Sequence, residues 1–265
     1  MLPNVCNCNA KRDTTEPQTA FDGIVNRDLN AIPWRMIINA DNDLTMSHDK
    51  PEPTKPIHDA LSLDGNPGTV KAFYANWAVS YDTDVAANYR GTQEIVDVLD
   101  GYLNDNPSDA FEDRAQLKVA DMGCGTGLVA EVLRKVGFRT IDGMDLSPEM
   151  VAEAKKLDIY RSLFADVDIN KTPPVQWKQA YDITVSCGVF TLGHVAPTAL
   201  YSMIALTRPG GLVVTSTRLK YYKATDYQQV SDQIQTQELA ELVHSARNRP
   251  YTDDDDAHYW VYRIH

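Results

Sequence analysis

The chain predicts an α/β fold, a mostly parallel sheet with helices packed on both faces. Three observations point there. From residue 117 onward, short apolar runs alternate with stretches of helical period, the order expected when parallel strands are joined by crossover helices. The helices carry start and stop signals at the right places, with Ser147-Pro148 opening one and Gly137 closing another. The first strand runs into Asp121-Met122-Gly123-Cys124-Gly125-Thr126-Gly127, a turn that leads straight into a helix.

Taken in order, residues 1–68 read as a poorly structured extension. They mix Pro3, Pro17, Pro33, Pro51, Pro53, Pro56 and Pro67 with Asn, Asp and Thr and show no sustained period. Residues 69–265 read as one domain, a helical cap over 69–110 followed by a core over 111–265. In the cap, Phe73, Tyr74, Trp77, Tyr81 and Val85 recur at three- and four-residue steps, an aromatic helical stripe that breaks near Tyr81-Asp82. A second helix is expected over 92–103, with Ile95, Val96, Leu99 and Leu103 on one side.

In the core, strands are expected over 117–122, 139–144, 161–165, 183–187 and 212–217. Helices are expected over 128–136, 147–157 and 197–206, the last leading into a Pro209-Gly210-Gly211 turn. Residues 241–247 and 258–264 read as two further strands, an antiparallel pair that brings the sheet to seven. The acidic run Asp253 to Asp256 between them reads as a solvated turn.

Bulk properties narrow the partners. A net charge of −12 opposes binding to nucleic acid, whose phosphates require a basic footprint, and to anionic membrane surfaces. No run approaches the ~18 apolar residues of a spanning helix. The first forty residues lack the apolar centre of a secretory signal and carry acids that transit peptides avoid. A cytoplasmic location follows as the expectation. Cys6 and Cys8 have no further metal ligands nearby, and Cys124 and Cys187 fall inside expected structural elements, so neither a metal site nor a disulfide framework is expected.

The glycine turn carries the chemistry. Glycines at alternate positions free the backbone N–H groups to approach a ligand, and the helix that follows adds the positive end of its dipole. Read as Gly125-Thr126-Gly127-Leu128-Val129-Ala130, the segment satisfies the G-x-G-x-x-A form of a dinucleotide site. Asp121 argues otherwise. A carboxylate two residues before the first glycine repels a pyrophosphate but pairs with the ammonium of S-adenosylmethionine. Asp145 ends the second strand, eighteen residues past Gly127, where a carboxylate accepts both ribose hydroxyls at roughly 1.5–3 kcal/mol per bond. Asp145 serves either cofactor and does not choose between them. A P-loop is excluded because no Lys-Ser/Thr pair follows the glycines.

With these residues in place, 117–217 resembles a class I methyltransferase core with a Rossmann-like sandwich. The matching features are the D-x-G-x-G-x-G turn, Asp145-Leu146-Ser147-Pro148-Glu149-Met150, Asp166, Tyr181-Asp182-Ile183 and Pro209-Gly210-Gly211. A narrower likeness is carried by Phe73-Tyr74, Trp77, Tyr81-Asp82-Thr83-Asp84-Val85, Tyr89-Arg90, Gly188-Val189-Phe190-Thr191, Gly193-His194-Val195 and Tyr259-Trp260. Over about 70–264 the chain is similar to the methyltransferase-like proteins named after the Williams–Beuren syndrome critical region.

The resemblance implies that Asp121, Gly123, Cys124, Gly125 and Gly127 hold the methionine end of S-adenosylmethionine and that Asp145 holds the ribose. It further implies that Leu146 and Met150 flank the adenine, Asp166 bonds its exocyclic amine, Cys187 lines the site, and Tyr81 lies near the methionine carboxylate. The aromatic stripe would fold over the cofactor, and S-adenosylhomocysteine would be the product. The expected partner is a small-molecule acceptor with an oxygen, nitrogen or sulfur nucleophile. His194, just past the fourth strand, is the candidate general base, because its pKa lies near neutrality. A protein methyltransferase, a cofactor-binding scaffold and a nicotinamide-dependent oxidoreductase are the rival readings.

Overall fold

The computed structural model describes residues 35–38, 44–47 and 59–265, in two units, residues 1–52 and 53–265. In the first unit, β1 (Arg35–Ile38) and β2 (Leu44–Ser47) form an antiparallel ladder that pairs Arg35 with Ser47 and Ile38 with Leu44. The sequence placed this hairpin within a poorly structured extension. Cys6 and Cys8 lie outside the described residues.

The second unit starts earlier than residue 69. Residues 59–66 are already engaged with the domain, since the Gly65 amide donates to the Gly193 carbonyl at 2.9 Å and Ala60 is buried beside Trp77 and Val85. Helix α1 (Pro67–Trp77) follows, opened by Asn66, whose side chain accepts from the Gly68 amide at 2.8 Å. The aromatic stripe breaks after Trp77 and resumes in α2 (Tyr81–Val85). Helix α3 (Gly91–Asp105) buries Ile95, Val96, Leu99 and Leu103, the face its periodicity marked out.

The core alternates as expected: β3 (Lys118–Met122), α4 (Leu128–Lys135), β4 (Thr140–Met144), α5 (Pro148–Lys155), β5 (Ser162–Phe164), β6 (Tyr181–Phe190), α6 (Ala199–Leu206) and β7 (Thr207–Arg218). Two helices with no sequence-based assignment come next, α7 (Leu219–Ala224) and α8 (Tyr227–Thr236), before β8 (Ala240–Pro250) and β9 (Asp256–Ile264). Tyr227, Val230 and Ile234 of α8 are buried at helical spacing. Three apolar contacts among ten residues, with no side-chain cap, make too faint a period to read from sequence.

The seven strands lie in the order β5-β4-β3-β6-β7-β9-β8. The first five are parallel; β9 runs antiparallel to both β7 and β8. Both faces are covered. Leu212 and Val214 of β7, with Tyr259 and Val261 of β9, join the core under α3 and α4. Val213, Trp260 and Tyr262 point the other way, against α6 and α8. The period-two alternation of a strand thus feeds two apolar layers, and the central strands β3, β6 and β7 bury residues on both faces. The Pro209-Gly210-Gly211 turn falls within the span of β7: the ladder to β6 skips from Tyr181–Thr207 to Ile183–Leu212 around it. Among the described residues, no helix is long and apolar enough to cross a membrane.

Candidate functional site

A parallel sheet presents its strand carboxyl ends along one edge, where loops and helix N-termini converge. Here that edge, roofed by α1 and α2, encloses a cavity of about 190 Å³ walled by Tyr74, Trp77, Gly125, Asp145, His194 and Arg218 among others.

The floor is the glycine turn after β3. Gly123 and Gly125 have φ of +72° and +53°, and a side chain is excluded at the first for a second reason: a Cβ on Gly123 would stand 2.3 Å from Cγ2 of Val189. At Gly125 a Cβ would meet nothing within 4 Å, so this position leaves room for a ligand to reach the backbone. Asp145 accepts the Gly125 amide on Oδ2 and the Ser147 amide on Oδ1, each at 2.8 Å. These bonds aim the carboxylate and leave lone pairs for hydroxyl donors. Burial raises the pKa of Asp145, and the two amides oppose that rise. Leu146 and Met150, at the start of α5, line the same cavity, as do Tyr81 and Cys187, whose thiol is pushed up to about 11 by burial.

Asp121 is fully buried beneath the turn and is not part of the cavity wall. Tyr160 donates to its Oδ2 at 2.8 Å, while Oδ1 has no hydrogen-bond partner among the described residues. Burial lifts its pKa to about 7, against the lowering effect of the Tyr160 bond. An unsatisfied buried carboxylate oxygen is costly, and a cation above the turn would relieve it. Three other expected site residues also lie off the wall. Cys124 is buried, with Sγ 3.0 Å from where a Gly143 Cβ would be. Gly127 packs toward Leu157 and Tyr160. Asp166 faces out as an ion pair with Lys71 of α1, and its neighbours Val167 and Asp168 line the cavity in its place.

His194 is buried on the loop after β6. Its Nδ1 lies 2.9 Å from the Leu192 carbonyl, which only accepts, so Nδ1 carries the proton. Nε2 is then an acceptor, and the Tyr74 hydroxyl donates to it at 2.7 Å. Burial lowers the His194 pKa and raises that of Tyr74. The imidazole is therefore neutral at pH 7, with its basic nitrogen turned toward the cap.

Several residues of the site were given no role in it by the sequence. Tyr89, from the cap, lies with its hydroxyl 3.3 Å from the Cys187 sulfur, and the Tyr251 hydroxyl donates to Tyr89 at 3.4 Å. Thr126, inside the glycine turn, donates to Asp82 of α2 at 2.5 Å, and the Trp77 indole donates to Asp84 at 2.7 Å, so the cap is tied both to the turn and to itself. Arg218, the last residue of β7, lines the cavity and pairs with Asp255. The acidic run is thus more than a solvated turn: Asp255 clamps Arg218, and Asp253 pairs with Arg90. The position of Arg218 at a strand's carboxyl end was the available sequence signal; the loop that folds Tyr251 and Asp255 against it had none. Among the described residues, no cluster of ligating side chains could hold a metal ion.

This architecture and this turn have parallels in known proteins. A methyltransferase domain family model matches residues 94–265. The human Methyltransferase-like protein 27 is 35% identical over 147 residues, covering 55% of this chain and 56% of that protein. The ubiquinone biosynthesis O-methyltransferase of Bradyrhizobium diazoefficiens is 29% identical over 133 residues, covering 47% and 51%. The chain thus spans about half the length of these curated relatives. Among solved structures, the [4+2]-cyclase SpnF superposes with a TM-score of 0.55 at 15% identity, covering 76% of this chain and 97% of that one. Magnesium protoporphyrin IX methyltransferase from Synechocystis, solved with bound S-adenosylhomocysteine, gives a TM-score of 0.50 at 16% identity, covering 80% and 100%. Such structural likeness reports the fold; the family model and the glycine turn report the lineage. By its seven-stranded sheet and by the match over 94–265, this chain belongs to the methyltransferase domain family.

Proposed function

We propose that this protein transfers the methyl group of S-adenosylmethionine to a small-molecule acceptor. The observation that carries the reading is the pairing of Asp145 with the Gly125 amide. It sets a carboxylate with spare lone pairs beside a turn whose open side has room for a ligand's backbone contacts. A nucleoside carrying an amino acid fits both features. Asp145 would take the ribose, the turn the methionine carboxylate, and Leu146 and Met150 the adenine faces. Asp121 would act from beneath the turn, where its unpartnered oxygen favours a cation over a pyrophosphate and so disfavours the nicotinamide reading.

The cofactor supplies a methyl group already activated on a sulfonium. What remains for the protein is to hold an acceptor atom about 3 Å from that carbon, in line, with water excluded. The roof formed by Tyr74, Trp77 and Tyr81 supports exclusion. His194, neutral and accepting from Tyr74, supports the role of base for an acceptor that must lose a proton. The small size of the acceptor is supported by the enclosure of the cavity and by the relatives. One of these is named for ubiquinone biosynthesis.

Two measurements test the proposal. Calorimetric titration with S-adenosylhomocysteine and with NAD is expected to show binding of the first alone; binding of NAD alone would overturn it. Labelled cofactor incubated with protein and whole lysate is expected to leave its label in the metabolite fraction, whereas label in the protein fraction would replace the small molecule by a protein acceptor.

A further inference from the structure

Beyond the glycine turn, the cavity wall carries a fixed cation that the cofactor contacts do not use. Arg218 closes β7, and its side chain is 15% exposed. Nε and Nη2 both donate to Oδ2 of Asp255, at 2.8 and 2.5 Å. The guanidinium also lies over the Tyr251 ring, 5.2 Å from its centroid. Asp255 is anchored in turn, because the Tyr251 and Thr252 amides both donate to its backbone carbonyl at 3.0 Å. The head group is thus held at one edge and on one face.

Nη1 has no hydrogen-bond partner among the described residues, although a guanidinium carries five N–H donors. A donor edge fixed in place before any ligand arrives loses little entropy on binding, and its planar fork matches a carboxylate or another oxygen anion. The surroundings suit the same ligand. Burial raises the pKa of Tyr74 and Tyr251 and lowers that of His194; the charge of Arg218 is felt at all three, opposing the rise of the two phenols and adding to the fall of the imidazole, so these groups share one compartment. Its other walls include the apolar side chains of Trp77, Val189 and Val195. An ammonium group there would face a guanidinium, and the two carboxylates of the cavity wall, Asp145 and Asp168, lie on the side given above to the cofactor.

We propose that Arg218, fixed by Asp255 and Tyr251, is the recognition site for the methyl acceptor, and that the acceptor is an oxygen acid, a carboxylate or an acidic phenol or enol, not an amine. The inference rests on the methyltransferase reading and narrows it. Asp255 offsets part of the charge of Arg218, so recognition comes from directed N–H donors in an apolar slot more than from long-range attraction.

The test uses the full chain saturated with S-adenosylhomocysteine, and benzoate, 4-nitrophenolate and benzylamine as probes, followed by NMR titration. Both anions are expected to bind at least about tenfold more tightly than benzylamine. Arg218→Met is expected to weaken them by about tenfold or more while S-adenosylhomocysteine affinity changes by less than about threefold. The double variant R218M/D255M removes both members of the pair, leaves no unpaired carboxylate to disturb the loop, and is expected to behave alike. Equal binding of benzylamine, failure of both anions to bind at about 10 mM, or undiminished anion binding in the variants would overturn the inference. If the wild-type chain does not bind S-adenosylhomocysteine, the methyltransferase reading itself fails. Binding of that nucleoside without preference for the anions sinks the present inference alone.

Discussion

The hydroxyl of Tyr74 and Nε2 of His194 lie 2.7 Å apart, joining helix α1 of the cap to the loop after β6. Both partners wall the cavity, so the bond fixes the roof and also occupies the only basic nitrogen that the neutral imidazole offers. An acceptor that reaches His194 must do so through, or in place of, the Tyr74 hydroxyl.

That geometry sets the expectation for His194. With an acceptor that reaches the site protonated, replacement by Ala is expected to lower methyl incorporation into the metabolite fraction by about 10²-fold or more, the usual scale of general-base loss. An acceptor already ionised is expected to lose only a few-fold, and S-adenosylhomocysteine affinity stays within a few-fold of wild type in both cases. Tyr74→Phe is expected to fall between. Burial and then the charge of Arg218 depress the His194 pKa, so the neutral, proton-accepting ring persists below its ordinary range. The acid limb of the rate profile is therefore expected below pH 6.5. An unchanged rate in His194→Ala with a protonated acceptor would remove the base.

Gly123 and Gly125 are expected to fail differently. Alanine at Gly123 places a Cβ 2.3 Å from Val189 in a left-handed backbone, so loss of folding is expected in thermal melts. Alanine at Gly125 meets nothing within 4 Å and bears only the left-handed penalty of about 1–2 kcal/mol. Its methyl group would stand where the ligand approaches. A folded protein with S-adenosylhomocysteine affinity reduced by about tenfold or more is expected, read by melting and calorimetry together.

Asp121 predicts a pH dependence of stability. Its carboxyl titrates near 7 in the fold and near 3.8 when unperturbed. Between these values the folded state holds a proton that the unfolded chain has released, so this group's contribution to stability falls as pH rises from about 4 to 7 and stays low above. Asp121→Asn is expected to raise the melting temperature of the ligand-free protein at pH 8 and to make little difference at pH 4. The same variant is expected to bind S-adenosylhomocysteine more weakly. A melting temperature at pH 8 equal to or below wild type would contradict the assignment.

Thr126 and Asp82 couple the cap to the glycine turn through a 2.5 Å hydrogen bond. A bond to a charged acceptor contributes about 1.5–3 kcal/mol. Thr126→Val is expected to speed amide exchange in α1 and α2 while leaving β3, β4 and β6 protected, and to weaken cofactor binding. Uniform exchange across the domain would show that the bond holds nothing in particular.

The sequence by itself determined the sheet, its alternation of strands and helices, the turn, and Asp145. These depend on local patterns: period two along β7 and β9, period 3.6 along α3, and glycines where φ is positive. His194 was placed by its position past the fourth strand, and the family resemblance implied Tyr81, Leu146, Met150 and Cys187; the structure brings all five to one cavity. The sequence did not find α7 or α8, where the apolar period is too sparse, or the ordered residues 59–66, whose contacts run to a loop more than a hundred positions away.

Only the tertiary structure decided which side of the turn each acid faces. Asp121 and Asp145 end neighbouring strands and look alike in one dimension, yet one is sealed beneath the glycines against Tyr160 and the other opens on the cavity. It alone turned Asp166 outward to Lys71 and brought Asp255 and Tyr251 against Arg218. The reason is physical. Secondary structure is written in neighbours a few residues apart, whereas the solvation and partners of a charged group depend on what the whole chain folds around it.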